Sequence, residues 1–541
     1  MSHDAVGPAG TPAPLRPPAP GSLATPEGPG PLQPPGPPQP TAWASMPVVP
    51  APPSRFSRDM NTFWAGTRPG ASVAVLSACA AVGVAAGVLI VGNRAGLGAA
   101  LVGVAAWAVA IPALVRRRSV GDLVLAAWSI ALLVMMAVRD AGWVVALCVV
   151  VAIGVAAAST TAARSVWAVL LAPLSAATGG IRALPWVTHG AREAAGARGR
   201  GLWVAVRSGA LAVGLVVVFG ALFASADPVF ASYLPEVHLA ELPGRIVVGL
   251  LVGGLAATAA HLARTPPPWS DVTFPAPRPA GLAAWMVPVA ALDAVVLAFL
   301  LVQVGALVGG SEYVEQTAGL SYADYAHQGF GQLVAATALT LVVVAVAARR
   351  APTGTPRDRV AIRVGLGLLC VGTLGVVASA LVRMNLYVDA FGLTRLRLLA
   401  TWGEVAMGVI VVLVIVAGVR WRGSWVPRAV VHVVAVAMLS LALVNPDAQI
   451  VTHNAAAQTS GRGVDLLYLQ GLSADAAPAL DALPEPARSC ALSRLDVAPV
   501  SGPADWNLGR SRAERILAAG VQRPATCADT VDLVGSTTTD G

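Results

Sequence analysis

Residues 120–159 read VGDLVLAAWSIALLVMMAVRDAGWVVALCVVVAIGVAAAS, two long apolar runs that are separated only by Arg139 and Asp140. A hydrocarbon core about 30 Å thick is crossed by roughly 20 helical residues at about 1.5 Å rise per residue. Each run has about this length. The stretch therefore predicts two successive membrane-spanning helices.

Similar runs recur along the chain, which is 56% hydrophobic and 12% charged, with a mean hydropathy of +0.70. Backbone amides in lipid must be paired within the spanning structure, and long segments rich in Ala, Val, Leu and Gly favour helices over a barrel. We predict an all-α membrane protein, a polytopic helical bundle of about 11 transmembrane helices with a small helical C-terminal domain. The predicted spans are Ala71–Gly92, Ala95–Val115, Val120–Val138, Ala141–Ser159, Ser208–Ala224, Ile246–Leu262, Leu282–Leu307, Gln332–Ala347, Val364–Val382, Leu398–Val419 and the short Ala429–Val444.

All 36 basic residues are arginine, and their positions orient these spans. Cytoplasmic loops carry an excess of basic residues. With the amino terminus inside, 23 arginines fall on the cytoplasmic side, six in the opposite loops and seven in the long C-terminal segment. The carboxyl terminus is then outside. The net charge of +8 reads as this topology signal, and without a basic aromatic patch it argues against a nucleic-acid partner.

The spans divide the chain into six predicted parts. Residues 1–70, dense in Pro, Ala and Gly, form a disordered cytoplasmic tail; 71–160 a four-helix membrane segment; 161–201 a basic cytoplasmic loop; 202–444 a membrane core of seven helices; 445–529 a small helical extracytoplasmic domain; and 530–541 a disordered tail. For 161–201, an interfacial helix on the inner leaflet and an ordinary loop are equally open.

The cysteines agree with this orientation. Cys79, Cys148 and Cys370 fall inside apolar spans, whereas Cys490 and Cys527 lie in the predicted extracytoplasmic domain, where oxidation is permitted. We predict a disulfide between these two; with a cytoplasmic carboxyl terminus, they would be two free thiols. Their spacing matches no metal motif, and we expect neither a metal nor a cofactor.

Five ordered stretches resemble the signatures of a known family. They are Asn445-Pro446-Asp447-Ala448 with Asn454, Asp465, Tyr468-Leu469, Leu472-Ser473, Asp475-Ala476 and Pro478; Ala226-Asp227-Pro228-Val229-Phe230; Ser321-Tyr322-Ala323-Asp324-Tyr325-Ala326 with Gly329-Phe330; Arg383 with Tyr387 and residues 392–397; and Trp506-Asn507-Leu508 with Arg510 and Arg512-Ala513. Together they are similar to a family of bacterial multi-pass integral membrane proteins, of the domain of unknown function 4153/4173 type. His327 and Gln328 depart from the basic residues expected there. The resemblance implies no assigned activity.

Under the predicted topology these stretches face outward, and their polar residues are predicted to converge in one site. The candidate residues are Asp227, Asp324, Tyr325, Arg383, Tyr387, Arg395, Arg397, Asn445, Asp447 and Asn454. Arginines on the side that the charge bias disfavours need partners, which these aspartates could supply. Two interpretations stay open: a salt-bridge network that locks loops to the C-terminal domain, and a site in which the arginines hold an anionic lipid headgroup or another envelope component.

Three further polar residues are predicted to lie within the bilayer. Asp293 falls near the middle of the seventh span, Gln303 later in the same span, and Glu404 near the outer end of the tenth. Ionisable groups at such depth are costly and are functional candidates. They could form a proton or cation relay, or the carboxyls could be protonated and hydrogen-bonded structural groups.

Three classes of function follow, for a chain expected in a bacterial plasma membrane. The favoured class is a non-enzymatic envelope sensor or scaffold, because the chain has no nucleotide-binding glycine loop and no G-x-S-x-G nucleophile motif. A secondary transporter would use Asp293 or Glu404. An extracytoplasmic transferase would need Asp227, Asp324 or Asp447 as an acid or base.

Overall fold

The computed structural model describes residues 67–227, 239–267, 281–318, 330–350, 354–458 and 466–520, and this part of the chain is helical without β-strands. The predicted all-α fold is confirmed. Eleven long helices precede the C-terminal segment: α1 Val73–Leu89, α2 Leu97–Arg116, α3 Val120–Val138, α4 Gly142–Thr160, α5 Val166–Ala226, α6 Leu242–Arg264, α7 Leu282–Ala318, α8 Phe330–Arg350, α9 Pro356–Phe391, α10 Arg395–Arg420 and α11 Val426–Leu443.

Nine of these helices are long and apolar enough to cross a membrane, namely α2, α3, α4, α6, α8 to α11 and residues 283–305 of α7. Each overlaps a predicted span, although α9, with 36 residues, extends well beyond Val364–Val382 at both ends. The span predicted at Ala71–Gly92 contains α1, an apolar helix of 17 residues. The span predicted at Ser208–Ala224 is the last part of α5. The chain is a polytopic membrane protein.

Helix α5 begins within residues 161–201, the segment for which the sequence left an interfacial helix and an ordinary loop open. The segment is helical from Val166 onward, with a bend of 57° between Val166–Ser175 and Ala177–Gly196. Pro173 lies just before the bend, as expected for a residue that removes a helical hydrogen bond. Residues 166–201 therefore belong to a helix, and the placement of this helix on the inner leaflet stays a prediction.

Helices α1 and α6 approach each other through glycines. A Cβ atom on Gly83 would lie 2.7 Å from the carbonyl oxygen of Gly249, and one on Gly249 would lie 2.8 Å from that of Gly83. Small residues allow this closeness in membrane bundles, where lipid removes the hydrophobic drive between helices. The Ala and Gly content thus serves packing, as the composition suggests.

Helices α3 and α11 run parallel and are tied at the end where both begin. The carboxylate of Asp122 in the first turn of α3 is fully buried and pairs with Arg428 of α11 and with Arg117, whose Nη2 lies 2.8 Å away. Arg117 also donates to the carbonyl oxygens of Thr160 and Ala263, the ends of α4 and α6, at 2.9 and 3.1 Å. One buried carboxylate thereby organises five helices.

The C-terminal segment consists of short helices: α12 Pro446–Gln458, α13 Leu466–Gln470, α14 Ala477–Asp481, α15 Ala487–Leu492 and α16 Leu508–Ala518, with a 3₁₀ turn at Ala474–Ala476. The small helical domain is confirmed. Its core contains Ile450, Leu469, Leu480, Leu492 and Ala513, all buried. Ser473 precedes the 3₁₀ turn at its N-cap position, and its hydroxyl makes no capping hydrogen bond there.

Several predictions concern residues outside the described part of the chain. They are the tail up to residue 66, Asp324, Tyr325, Cys527 and the tail at 530–541.

Candidate functional site

The site begins where α11 ends, at the sequence Asn445-Pro446-Asp447. Asn445 adopts a left-handed backbone conformation, with φ of 56°, which asparagine tolerates better than most residues. Its Oδ1 accepts a hydrogen bond from the backbone N–H of Ala448 at 3.3 Å, and its Nδ2 donates to the carbonyl oxygen of Asp475 at 2.8 Å. Asn445 therefore starts α12 and joins it to the 3₁₀ turn.

Asp447, in the first turn of α12, is fully buried. Arg395 binds it through both carboxylate oxygens, with Nε to Oδ1 at 3.0 Å and Nη2 to Oδ2 at 2.7 Å. The backbone N–H of Ser473 donates to Oδ2 at 2.9 Å, and Nε1 of Trp143 lies 3.3 Å from Oδ1. Burial alone would raise the pKa of Asp447, but the hydrogen bonds from Arg395 and Ser473 outweigh it and lower the pKa below its ordinary value.

Arg395, the partner of Asp447, is also bound by residues of the C-terminal segment. The backbone N–H of Arg395 donates to the hydroxyl of Tyr468 at 2.9 Å, and Nη2 donates to the carbonyl oxygen of Gly471 at 3.2 Å. Because Arg395 is the first residue of α10 and Trp143 lies in α4, the ion pair joins two membrane helices to the C-terminal segment.

A second buried carboxylate, Asp475, binds the short turn between α3 and α4. Its Oδ2 accepts hydrogen bonds from the backbone N–H groups of Asp140 and Ala141, both at 2.8 Å. Arg139 in the same turn donates to the carbonyl oxygens of Ala442 and Leu443, at the end of α11, at 2.6 and 2.7 Å. The turn thus connects α3, α4, α11 and the C-terminal segment.

Burial raises the pKa of Asp475 to about 6, although the Ala141 N–H, the Arg139 charge and the Asp140 N–H all oppose this rise. Oδ1 of Asp475 has no hydrogen-bond partner and lies 4.0 Å from Nη1 of Arg139. Space around it is tight, because a Cβ atom on Gly509 would lie only 2.1 Å from this oxygen. The carboxylate is enclosed and incompletely neutralised.

Asn507 and Arg510, at the start of α16, also contact the loops at this end of the bundle. Nδ2 of Asn507 donates to the carbonyl oxygens of Met136 and Arg139, both at 2.9 Å, while its Oδ1 caps α16. Arg510 forms an ion pair with Asp140 at 2.9 Å and donates to the carbonyl oxygen of Ala95 at 2.8 Å. The loop between α1 and α2 is thereby joined to the α3–α4 turn.

A third group lies at the turn between α9 and α10. The guanidinium of Arg397 lies 4.0 Å above the ring of Tyr387 and donates to the carbonyl oxygen of Phe391 at 3.0 Å. Gly392 has φ of 78°, a conformation that favours glycine. Asn454 of α12 holds the next residue, Leu393, through its N–H at 2.6 Å and its carbonyl at 3.0 Å.

Comparison with family models gives one match, over residues 124–483, about two thirds of the chain. The matching model is described as Domain of unknown function (DUF4153). The chain belongs to this family. The matched range includes the α3–α4 turn, Asp447 and Asp475 but ends before Asn507 and Arg510. Searches of curated proteins and of solved structures found no match.

The structure of this DUF4153 protein brings together six of the ten residues predicted for the outer site. Arg395, Asn445, Asp447 and Asn454 lie within one hydrogen-bonded region, and Arg397 and Tyr387 adjoin it through the α9–α10 turn. Asp227 is exposed at the end of α5.

Arg383 lies elsewhere, within the bundle. Its Nε and Nη2 donate to Oε1 of Gln303 at 3.2 and 2.8 Å, and Ser379 donates to the same oxygen at 2.8 Å. Gln303, which was predicted within the bilayer together with the intramembrane carboxyls, is a buried residue of α7. Arg383, which was predicted for the outer site, contacts this buried residue.

The two predicted intramembrane carboxyls are buried. Oε1 of Glu404 accepts a hydrogen bond from Thr337 at 3.3 Å, whereas Oε2 has no partner among the residues that the structure describes. Oδ1 of Asp293 also has none. An unpaired polar atom at such depth costs free energy, so a carboxyl at either position is a candidate for a functional role.

Sequence reasoning missed Arg139, Asp140, Asp475, Asn507 and Arg510 as members of the site. Three of them stand in stretches that resemble the family, and Arg139 is one of the six arginines in the loops predicted to lie outside. The sequence therefore marked these residues as unusual. It did not indicate which loop each residue would contact.

Cys490 is buried and disulfide-bonded, while Cys79, Cys148 and Cys370 are free. Its predicted partner, Cys527, lies outside the described residues, so the pairing stays a prediction. Within the described part of the DUF4153 chain, no group of three or more His, Cys, Asp or Glu residues is placed to hold a metal ion.

Asp447→Ala should lower the free energy of unfolding by about 2–4 kcal/mol, because it leaves Arg395 unpaired and the Ser473 N–H unsatisfied. The double variant Asp447→Ala with Arg395→Met should lose less than the sum of the two single losses. Asp481→Ala is the control, since its pair with Arg488 is solvent-exposed and worth about 1 kcal/mol or less. Thermal unfolding in detergent gives these values; additive losses would contradict the coupling.

Asp475→Asn should change the pH dependence of stability. A carboxyl whose pKa is raised to about 6 in the fold, from 3.8, contributes stability that is complete below pH 3.8 and is lost as the pH rises through 6. The wild type should therefore lose on the order of 2 to 3 kcal/mol relative to the variant between these pH values. Unfolding midpoints from pH 4 to 7.5 measure this; parallel profiles for the two proteins would refute it.

Proposed function

We propose that this DUF4153 protein is a non-enzymatic component of the bacterial cell envelope, a plasma-membrane sensor or scaffold whose C-terminal segment closes the extracytoplasmic end of the bundle. One observation carries the proposal. The buried carboxylates Asp447 and Asp475 are bound by groups from separate membrane helices, namely Arg395 of α10, Trp143 of α4 and the α3–α4 turn. We call this arrangement the C-terminal clamp.

The clamp is better suited to holding structure than to chemistry. A general acid or base must come within hydrogen-bond reach of its substrate, whereas Asp447 is fully buried and both of its oxygens are already bound to Arg395. These contacts favour the locking network over the open ligand site that the sequence also allowed. A transferase that uses Asp447 has correspondingly less support.

The proposed orientation rests on charge. Arg139 and Arg395 belong to the six arginines that the positive-inside bias leaves outside, and both have structural partners that account for their presence there. The loops around Ala95, Asp140 and Leu393 would all lie on the outer side, and all contact the C-terminal segment. An amino terminus inside and a carboxyl terminus outside follow from this proposal.

Thiol labelling in intact cells tests the orientation. In the wild type, an impermeant maleimide should label neither Cys490 nor Cys527 until a mild reductant is added, because an extracytoplasmic pair is expected to be oxidised. Cys490→Ser should expose Cys527 to the reagent without reduction. Cys79, Cys148 and Cys370 are buried and serve as internal controls. Labelling of Cys527 only after permeabilisation would place the clamp in the cytoplasm and overturn the proposal.

A second candidate function, transport, has its own supporting observation. Asp293 and Glu404 each have one buried carboxylate oxygen without a partner, and they lie in α7 and α10, whose group also includes α8 and α9. Carboxyls of this kind serve as proton or cation carriers in membrane transporters. We rank this function second because neither a broken helix nor an internal repeat accompanies them in the sequence.

Neutral substitutions separate the two functions. A scaffold should tolerate Asp293→Asn and Glu404→Gln, so proteoliposomes with either variant, with wild type or without protein should show the same proton flux. Thr373→Val is the control for altered polarity in the same group of helices, since the Thr373 hydroxyl of α9 donates to the carbonyl oxygen of Leu369 in its own helix. Flux in the wild type that both carboxyl variants abolish, and the control preserves, would replace the scaffold with a transporter.

A further inference from the structure

A cleft of about 570 Å³ opens at the end of the bundle opposite to the C-terminal clamp. It lies where α9 begins and α10 ends, and Pro356, Arg359, Val360, Arg363 and Trp421 line it. A volume of this size falls within the range of small-ligand sites, about 300–1,000 Å³. Its lining combines two arginines with apolar side chains.

Contacts with α10 fix one of these arginines. The guanidinium of Arg363 lies 5.2 Å from the ring centroid of Trp421, and its Nη2 donates to the carbonyl oxygen of Val419 at 3.2 Å. Trp421 has φ of 53°, a left-handed conformation that is rare for a bulky residue. This conformation ends α10 and leaves the indole 41% exposed beside the arginine.

The surroundings of the cleft are strongly cationic. Arg357, Arg420 and Arg422 lie within two residues of its lining, in addition to Arg359 and Arg363. The carboxylate of Asp358, next to Arg357 and Arg359 in the sequence, belongs to the capping box of α9, where it accepts a hydrogen bond from the N–H of Thr355 at 3.2 Å. The positive end of the α9 dipole adds to the field. This end of the bundle attracts an anion.

An exposed apolar strip continues from the cleft along α9. Val360, Val364, Leu368 and Val371 follow one another at helical spacing on one face and are 59%, 62%, 41% and 59% exposed. The strip runs into the membrane-spanning part of α9. Positive charge at the helix end and apolar surface below it match the two parts of a phospholipid.

We propose that this cleft binds an anionic phospholipid, with the phosphate between Arg359 and Arg363 and an acyl chain along the strip from Val360 to Val371. Arginine provides several donors to phosphate oxygens, and tryptophan is common at the membrane interface. The arginine bias assigns this end of the bundle to the cytoplasmic leaflet, whose anionic lipids attract basic residues. The site is separate from the clamp and does not rest on the function proposed for it.

Binding to the full-length protein in detergent tests the site, with phosphatidylglycerol, phosphatidylcholine and inorganic phosphate as probes and native mass spectrometry as the readout. Wild type should bind phosphatidylglycerol in preference to phosphatidylcholine, and inorganic phosphate should not compete. Arg359→Gln with Arg363→Gln should weaken phosphatidylglycerol binding roughly tenfold or more, since each arginine contributes about 1 kcal/mol to attraction of anionic lipid. Val360→Asp should weaken it by interrupting the strip.

The matched control is Arg116→Gln, which removes an exposed charge at the same bundle end, on α2 and outside the cleft. Binding should survive in this variant. An equal loss in Arg116→Gln would mean that lipid follows overall charge, and equal binding of phosphatidylcholine would mean that the charge is irrelevant; either result overturns the site. Competition by inorganic phosphate, with Val360→Asp unaffected, would make the cleft a phosphate site and also overturn the lipid assignment. All variants change exposed residues, and size-exclusion chromatography checks their folding.

Discussion

The fold depends on the requirement that a carboxylate removed from water must find partners close by. Asp475 meets most of this requirement through two backbone N–H groups of the α3–α4 turn, and Asp447 meets it through Arg395, Ser473 and Trp143. In lipid, apolar faces gain little by packing on each other rather than on acyl chains. The polar contacts at the helix ends therefore add to the close packing of small residues in holding helices together, and the buried aspartates supply several of these contacts.

Buried carboxylates are paired in different ways at the two ends of the bundle. At one end, Asp122 gathers Arg117 and Arg428, and Arg117 reaches the last carbonyls of α4 and α6. At the other, the carboxylates belong to the C-terminal segment, and the bundle supplies N–H groups and arginines. Because α3 and α11 take part at both ends, their register is set along their whole length. The C-terminal segment consequently acts as a part of the membrane fold, although it is made of short helices beyond the last span.

The other buried polar residues lie mainly in one group of helices. Helices α7 to α10 contain Asp293, Glu404 and the Arg383–Gln303 contact, whereas the clamp joins α3, α4, α10 and α11. Helix α10 belongs to both groups, since Arg395 begins it and Glu404 lies two and a half turns later. A change in the clamp would therefore act directly on the helix that holds the buried Glu404. This shared helix connects the sensor and transporter hypotheses structurally, whichever of them holds.

Hydropathy and residue composition predicted the helical nature of the bundle and located the nine helices that are long and apolar enough to span, because lipid requires about 20 apolar residues per helix whatever surrounds them. They also marked Arg395 and Asp447 as candidates for pairing. Only the tertiary structure decided that Arg383 binds Gln303 within the bundle, that Asp475 binds the α3–α4 turn, and that Asn507 and Arg510 reach loops more than 300 residues away in sequence. The free-energy cost of placing a polar residue in the membrane depends on that residue and its neighbours in sequence, so the sequence predicts it. The partner of that residue depends on how helices from distant parts of the sequence pack.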